Sequence, residues 1–211
     1  MEKGDLEEFE EKMSGQKKRH NKIISKVLIF VGVVIIALIV WAVFSYYNSS
    51  FKYNGVEFQK VDEIAPYRTG LPVTYAGGIT GAVTQNTYYF YLRKDPRTLE
   101  YVPLEGEIVL KKNMVIEGTN DLNCNGDGII AIANLAKLYN VLGTKVIKDP
   151  DAGCDEEGRY MHLELLKGNE TKIEKTGPAC YILSVNNCEI LEVTEKFMVE
   201  TLAKVNNLTK G

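Results

Sequence analysis

The chain has 211 residues, 45% hydrophobic and 25% charged, a balance that excludes disordered and collagen-like polymers. Its formal charge of -3 conceals unlike parts: residues 1–50 hold 7 Lys/Arg and 6 Asp/Glu, so residues 51–211 carry 18 basic against 22 acidic side chains. A nucleic-acid partner needs a basic face, and the acidic part has no run of cations longer than Lys111-Lys112, which sets that function class aside.

Residues 1–22 mix acids, bases and His20, predicting a polar cytoplasmic tail too short to bury a core. From 27 to 44 runs VLIFVGVVIIALIVWAVF, 18 residues without a charge. As a helix it spans about 27 Å at roughly 1.5 Å per residue, close to the ~30 Å hydrocarbon thickness of a bilayer. Residues 23–47, with their interfacial ends, are the expected transmembrane segment, and Trp41, Tyr46 and Tyr47 fall where amphipathic rings favour the headgroup layer. Lys17, Lys18, Arg19, Lys22 and Lys26 precede the run with no acid among them, while only Lys52 follows it closely. The positive-inside rule then keeps the amino terminus in the cytoplasm and sends the rest outside. The run ends in Ala42-Val43-Phe44 and Tyr46-Tyr47 rather than the small-x-small pattern of a cleavage site. It reads as an uncleaved signal anchor in the cell membrane, with the lipid bilayer as its first partner. The sequons at Asn48, Asn169 and Asn207 all lie past this anchor and are glycosylation candidates.

Beyond the anchor, Asn54-Gly55 separates residues 51–53 from 56–58 and accepts the two positive φ angles of a tight hairpin turn. Residues 65–85, with scattered Gly and Pro, read as loop holding one short strand. The aromatic run 87–93 and the stretch 107–117 read as two strands. Turn signals at 118–128 lead into IIAIANLAKLYNVLG, a helix apolar around most of its circumference and stopped by Gly143. Such a helix is expected to be buried, with only Asn134, Lys137 and Asn140 in water. Residues 144–147 return as a strand, 149–158 form a polar loop, and 160–166, 172–175 and 180–185 read as strands, the first two joined through Gly168-Asn169. The last apolar set, Ile190, Val193, Phe197, Met198, Leu202 and Val205, fits one helical face; Asn186-Asn187 offers a hairpin before a helix capped by Thr194 as the alternative. The expected fold class is α+β: one extracytoplasmic domain over 51–211 with a mixed β-sheet and two helices.

Cys124, Cys154, Cys180 and Cys188 all lie in this domain, an even number that suits two disulfides in an oxidising compartment. Disulfide-linked Cα atoms sit within about 7 Å, while eight strand steps from Cys180 to Cys188 cover roughly 26 Å. Those two are therefore expected to pair with Cys124 and Cys154, in either order.

The segment Asn123-Cys-Asn125-Gly-Asp127-Gly128-Ile129 and onward to Asn134 resembles one calcium loop of the dockerin type, an EF-hand variant. The resemblance implies Asn123, Asn125 and Asp127 at the first, third and fifth ligand positions, the Ile129 carbonyl next, and Asn134 at the twelfth. So few carboxylates imply weak calcium binding at most; a Gly-rich turn with Asp127 capping the helix is the simpler expectation.

Catalytic chemistry has little to build on. Beyond residue 50 the one serine is Ser184 and the one histidine is His162, and no phosphate loop or dinucleotide fingerprint occurs. The carboxylate pairs Glu107 with Glu117 and Glu164 with Glu174 alternate with apolar residues as solvated strand faces do. The pattern from Leu122 to Gly128 before an apolar helix, with the segment from Cys180 to Glu195, is similar to short single-pass membrane-anchored archaeal proteins of unknown function. That resemblance implies the same topology and transfers no site residue. The sequence thus reads as a membrane-anchored outer domain, stabilised by disulfides, that binds or scaffolds a ligand the sequence does not identify, with a membrane or cell-surface protein among the expected partners. The alternatives are an extracytoplasmic thiol oxidoreductase or cysteine hydrolase using Cys124 or Cys188 near His162, and a weakly calcium-dependent adhesion module.

Overall fold

The computed structural model of the protein describes residues 26–44, 49–77, 82–118, 122–149 and 151–210. The tail 1–22, residues 23–25 and 45–47 of the expected transmembrane segment, and the sequon residue Asn48 lie outside these. The chain divides into two units, Met1–Ser49 and Ser50–Gly211.

The first unit contains α1, Lys26–Phe44, whose 19 residues have a mean hydropathy of 3.3. At about 1.5 Å per residue it is long enough, and with no polar face apolar enough, to cross a membrane.

The second unit holds two sheets where the sequence reading expects one. β1 (Ser50–Tyr53), β2 (Val56–Lys60), β3 (Tyr67–Gly77) and β4 (Ala82–Leu92) form an antiparallel meander in chain order. The register Tyr53↔Val56 leaves Asn54 and Gly55 as a two-residue turn, with φ of 48° and 79° as a type I′ turn needs. The expectation of loop across 65–85 is overturned by β3 and β4. Gly and Pro are tolerated there for local reasons: Gly70 lies against the Tyr89 ring, and Pro72 falls where β2, paired only with Tyr67–Thr69, no longer reaches β3.

The second sheet contains β5 (Leu104–Glu105), β6 (Asn113–Gly118), β7 (Lys145–Ile147), β8 (Met161–Lys167), β9 (Lys172–Lys175) and β10 (Cys180–Val185), in the order β5-β9-β10-β8-β6-β7. β7, β6, β8 and β10 run parallel, and β9 pairs antiparallel with β10. β8 and β9 are therefore not neighbours: β10 lies between them. The expected strand over 107–117 begins only at Asn113. The Tyr181 hydroxyl donates to the Glu107 carbonyl and accepts from the Val109 N–H, each at 2.8 Å, so a side chain satisfies backbone that a ladder otherwise would.

Among the described residues α2 (Asp127–Val141) and α3 (Ile190–Lys210) lie between the sheets, and the 3-10 turns Pro96–Tyr101 and Cys124–Gly126 add to the expected helix count. Tyr139 of α2 and Tyr181 of β10 both pack on Phe197 of α3, while α3 reaches the meander through Asn54 and Asn206. Sandwiching buries α3 on nearly every side from Ile190 to Ala203. Thr194 lies inside α3, its hydroxyl donating to the Ile190 carbonyl at 2.7 Å, and is no cap. α2 differs from expectation: Ala131, Leu135, Leu138 and Tyr139 are buried, yet Ile129 is 70% exposed.

Candidate functional site

The chain passes from β6 through α2 to β7 on one side of β6, then returns to β8 on the other side. The carboxyl ends of β6 and β8 thus flank a topological switch point, the place where open sheets with parallel strands form ligand crevices. Two cavities meet there, sharing Gly118 and Leu165. One, of about 210 Å³, is apolar and runs along the start of α2 to Leu122, Ile129, Ile132 and Ile190. The other, of about 360 Å³, is acidic and lined by Glu117, Asp149, Glu164 and Lys148.

The apolar lobe owes its shape to a close approach. Gly128 sits so near the Leu122 carbonyl that a Cβ would lie 2.0 Å from its oxygen, and the Cys124–Cys188 disulfide, with Cα atoms 5.4 Å apart, ties the starts of α2 and α3 together. Cys154 is joined to Cys180, Cα atoms 5.5 Å apart, which fixes the order the sequence left open.

On the acidic side, the register places Glu117 beside Glu164 on neighbouring strands, and Val115 beside His162. The pairs suggested by sequence spacing are not formed: Glu164 is separated from Glu174 by Ile182, and Glu107 faces Lys204. His162 is buried, and its Nε2 has no hydrogen-bond partner while lying 3.4 Å from Oε2 of Glu117. The cysteine in register with His162 is Cys180 rather than Cys124 or Cys188, and it is held in a disulfide. Ser184 lies four strand positions beyond Cys180, about 13 Å along β10, so serine and histidine are not brought together.

The dockerin-like positions are distributed around the start of α2. Asn123 and Ile129 line the apolar lobe, Asn125 adopts φ 59°, and the Asp127 carboxylate pairs with Arg93 at 3.0 Å. Asn134 lines a different groove with Arg93, Tyr91 and Ile64. Among the described residues no three His, Cys, Asp or Glu side chains gather as metal ligands. Asn169 is exposed in the turn between β8 and β9, and Asn207 is exposed near the end of α3.

Arg93 and Lys94 hold the far end of the meander to both helices. Lys94 pairs with Glu192 at 2.6 Å, and both backbone N–H groups donate to Glu195 at 2.8 Å. Burial pushes the Glu195 carboxyl up to about 7 despite those two donors.

A larger cleft, about 570 Å³, lies between β3 and the ends of α2 and α3, floored by Val141, Leu142, Leu202 and Val205. It gathers no cluster of unpaired titratable groups and its strand edge carries Pro72, which blunts strand addition. The switch-point crevice, where an exposed isoleucine ridge meets grouped carboxylates, is the better site despite its smaller volume. Comparison with protein-family models, with curated proteins and with solved structures gives no match to this chain.

Proposed function

We propose that this protein is a single-pass membrane protein with a cytoplasmic amino terminus, whose outer domain binds a partner protein in the crevice at the ends of β6 and β8. The observation that carries the reading is the exposed apolar start of α2. Ile129 is 70% and Ile132 38% exposed on a helix otherwise built for burial, and both line a cavity rather than standing singly. Two disulfides with no free cysteine among the described residues support an oxidising compartment, and the cations flanking the anchor support the orientation.

Gly118 provides the test. A Cβ added there lies 3.6 Å from Ile132 and 3.9 Å from Leu165, ordinary contact distances with no backbone atom within 4 Å, so Gly118→Val places its bulk at the junction of the two lobes. A photo-crosslinking residue at position 129, in the full chain in its native membrane, is expected to give one discrete protein adduct. Gly118→Val should abolish that adduct while leaving the melting temperature unchanged or raised. Adduct formation that persists in the folded Gly118→Val chain would overturn the site.

A further inference from the structure

We infer that the acidic lobe receives a lysine or arginine side chain presented by the partner protein, an inference that rests on the binding reading above. Glu117 and Glu164 project from Cα atoms about 4.8 Å apart on adjacent strands, and like charges placed opposite one another disfavour the sheet that carries them. Asp149 adds a third carboxylate to the lining, against Lys148 as its cation. Elsewhere on this sheet face the same problem is solved internally: Lys172 reaches Glu174 at 2.8 Å. Glu164 has no ion pair among the described residues.

His162 supplies an independent sign that something is missing. Its side chain is 6% exposed, its Nε2 has no hydrogen-bond partner, and the atom nearest to answering it is the Glu117 carboxylate that also lines the lobe. Carboxylate oxygens accept, and the complement of several gathered in one lobe is a group that donates. Ammonium and guanidinium donate without accepting and carry the opposite charge, and charge-assisted bonds to carboxylate are the strong ones. A cavity of about 360 Å³ admits either head with part of its stem. The source is a protein chain rather than a free polyamine, because the lobe opens through Gly118 and Leu165 onto the isoleucines of α2. A segment with a basic residue close to an apolar one fills both halves; a polyamine leaves the apolar half empty.

The experiment compares crosslinking from position 129 in the Glu117→Gln/Glu164→Gln chain, in the charge-keeping Glu117→Asp/Glu164→Asp chain and in Gly118→Val, each checked for an unchanged melting transition. Alongside, the imidazole resonances of His162 are followed in the purified full chain with arginine amide, citrulline amide and spermidine. The expected result is a tenfold or greater loss of adduct in the Gln pair, near-full yield in the Asp pair, and a shift of the His162 signals by arginine amide but not by citrulline amide. Full adduct yield in the Gln pair with loss in Gly118→Val overturns cation recognition and leaves the binding reading standing. Absence of any adduct, with His162 responding to spermidine, overturns the protein source in favour of a free polyamine. Absence of both responses ends this inference and the binding reading together.

Discussion

Glu195 is the residue whose environment is most at odds with its chemistry. It is nearly inaccessible on α3, and both carboxylate oxygens are spent on the N–H groups of Arg93 and Lys94. Its carboxyl titrates near 7 in the folded chain, above the 4.5 of an ordinary glutamate, because burial disfavours the charged form. Folding therefore takes up a proton between those values, and stability falls as pH rises from about 4.5 to 7. At ~1.4 kcal/mol per pKa unit the whole change is about 3 kcal/mol. Thermal melts of the full chain in detergent should show the transition temperature dropping across that window. Glu195→Gln, which retains one acceptor and cannot ionise, should flatten the dependence while lowering stability at pH 5 by about 1 kcal/mol through the imperfectly met second donor.

Among the elements, α2 carries the clearest lesson about what a sequence says. Its start, its end and the strand-helix-strand order around it were legible, because apolar spacing and the Gly143 stop are local signals. Its exposure was not: a helix apolar all round announces burial, and nothing in residues 129–136 reveals that one side faces a groove. β3 failed for the opposite reason, since Gly70 and Pro72 break a strand pattern whose tolerance depends on Tyr89 and on where β2 ends. The stretch 107–112 reads as strand because Ile108-Val109-Leu110 is a genuine apolar run with β-branched residues, yet Tyr181, some seventy residues away, takes its backbone groups. The Glu117–Glu164 pair was invisible for the same cause: strand register is a long-range property, while spacing along the chain is not. The start of α2 also depends on its disulfide. Cys124 and Cys188 are separated by 64 residues, and chain-entropy reasoning gives the bond about 4 kcal/mol. Replacing both by serine should lower the denaturant-derived stability by about that amount, and amide exchange should rise first at residues 127–132, at the start of the helix the bond pins.

For the whole molecule, the anchor and the cysteines make one argument that neither makes alone. An apolar helix of 19 residues is compatible with several fates, and disulfides with several compartments, and the two together are compatible with the anchored outer domain proposed above. A maleimide mass tag applied under denaturing conditions to protein from its native membrane should add nothing before reduction and four units after it. Four tags without reduction would return Cys124 and Cys188 to the list of reactive thiols and remove the support for an oxidising compartment. What the sequence could not supply at this scale is the sheet count, since two sheets around a pair of helices and one sheet beneath them require the same alternation along each strand.

The order of the cysteines also bears on how the protein is made. On the proposed topology the chain emerges amino end first, and at roughly 5–20 residues per second Cys124 waits about 3–13 s for Cys188. Cys154 arrives much sooner, so the first thiol that Cys124 meets is the wrong one. Native oxidation then depends on β6, α2 and β7 packing early enough to hold Cys124 away from its nearer neighbour, or on an isomerase that corrects the pairing once β10 slips between β8 and β9. A domain whose six-stranded sheet is completed only by β10 thus ties correct bond formation to the emergence of that strand from the ribosome.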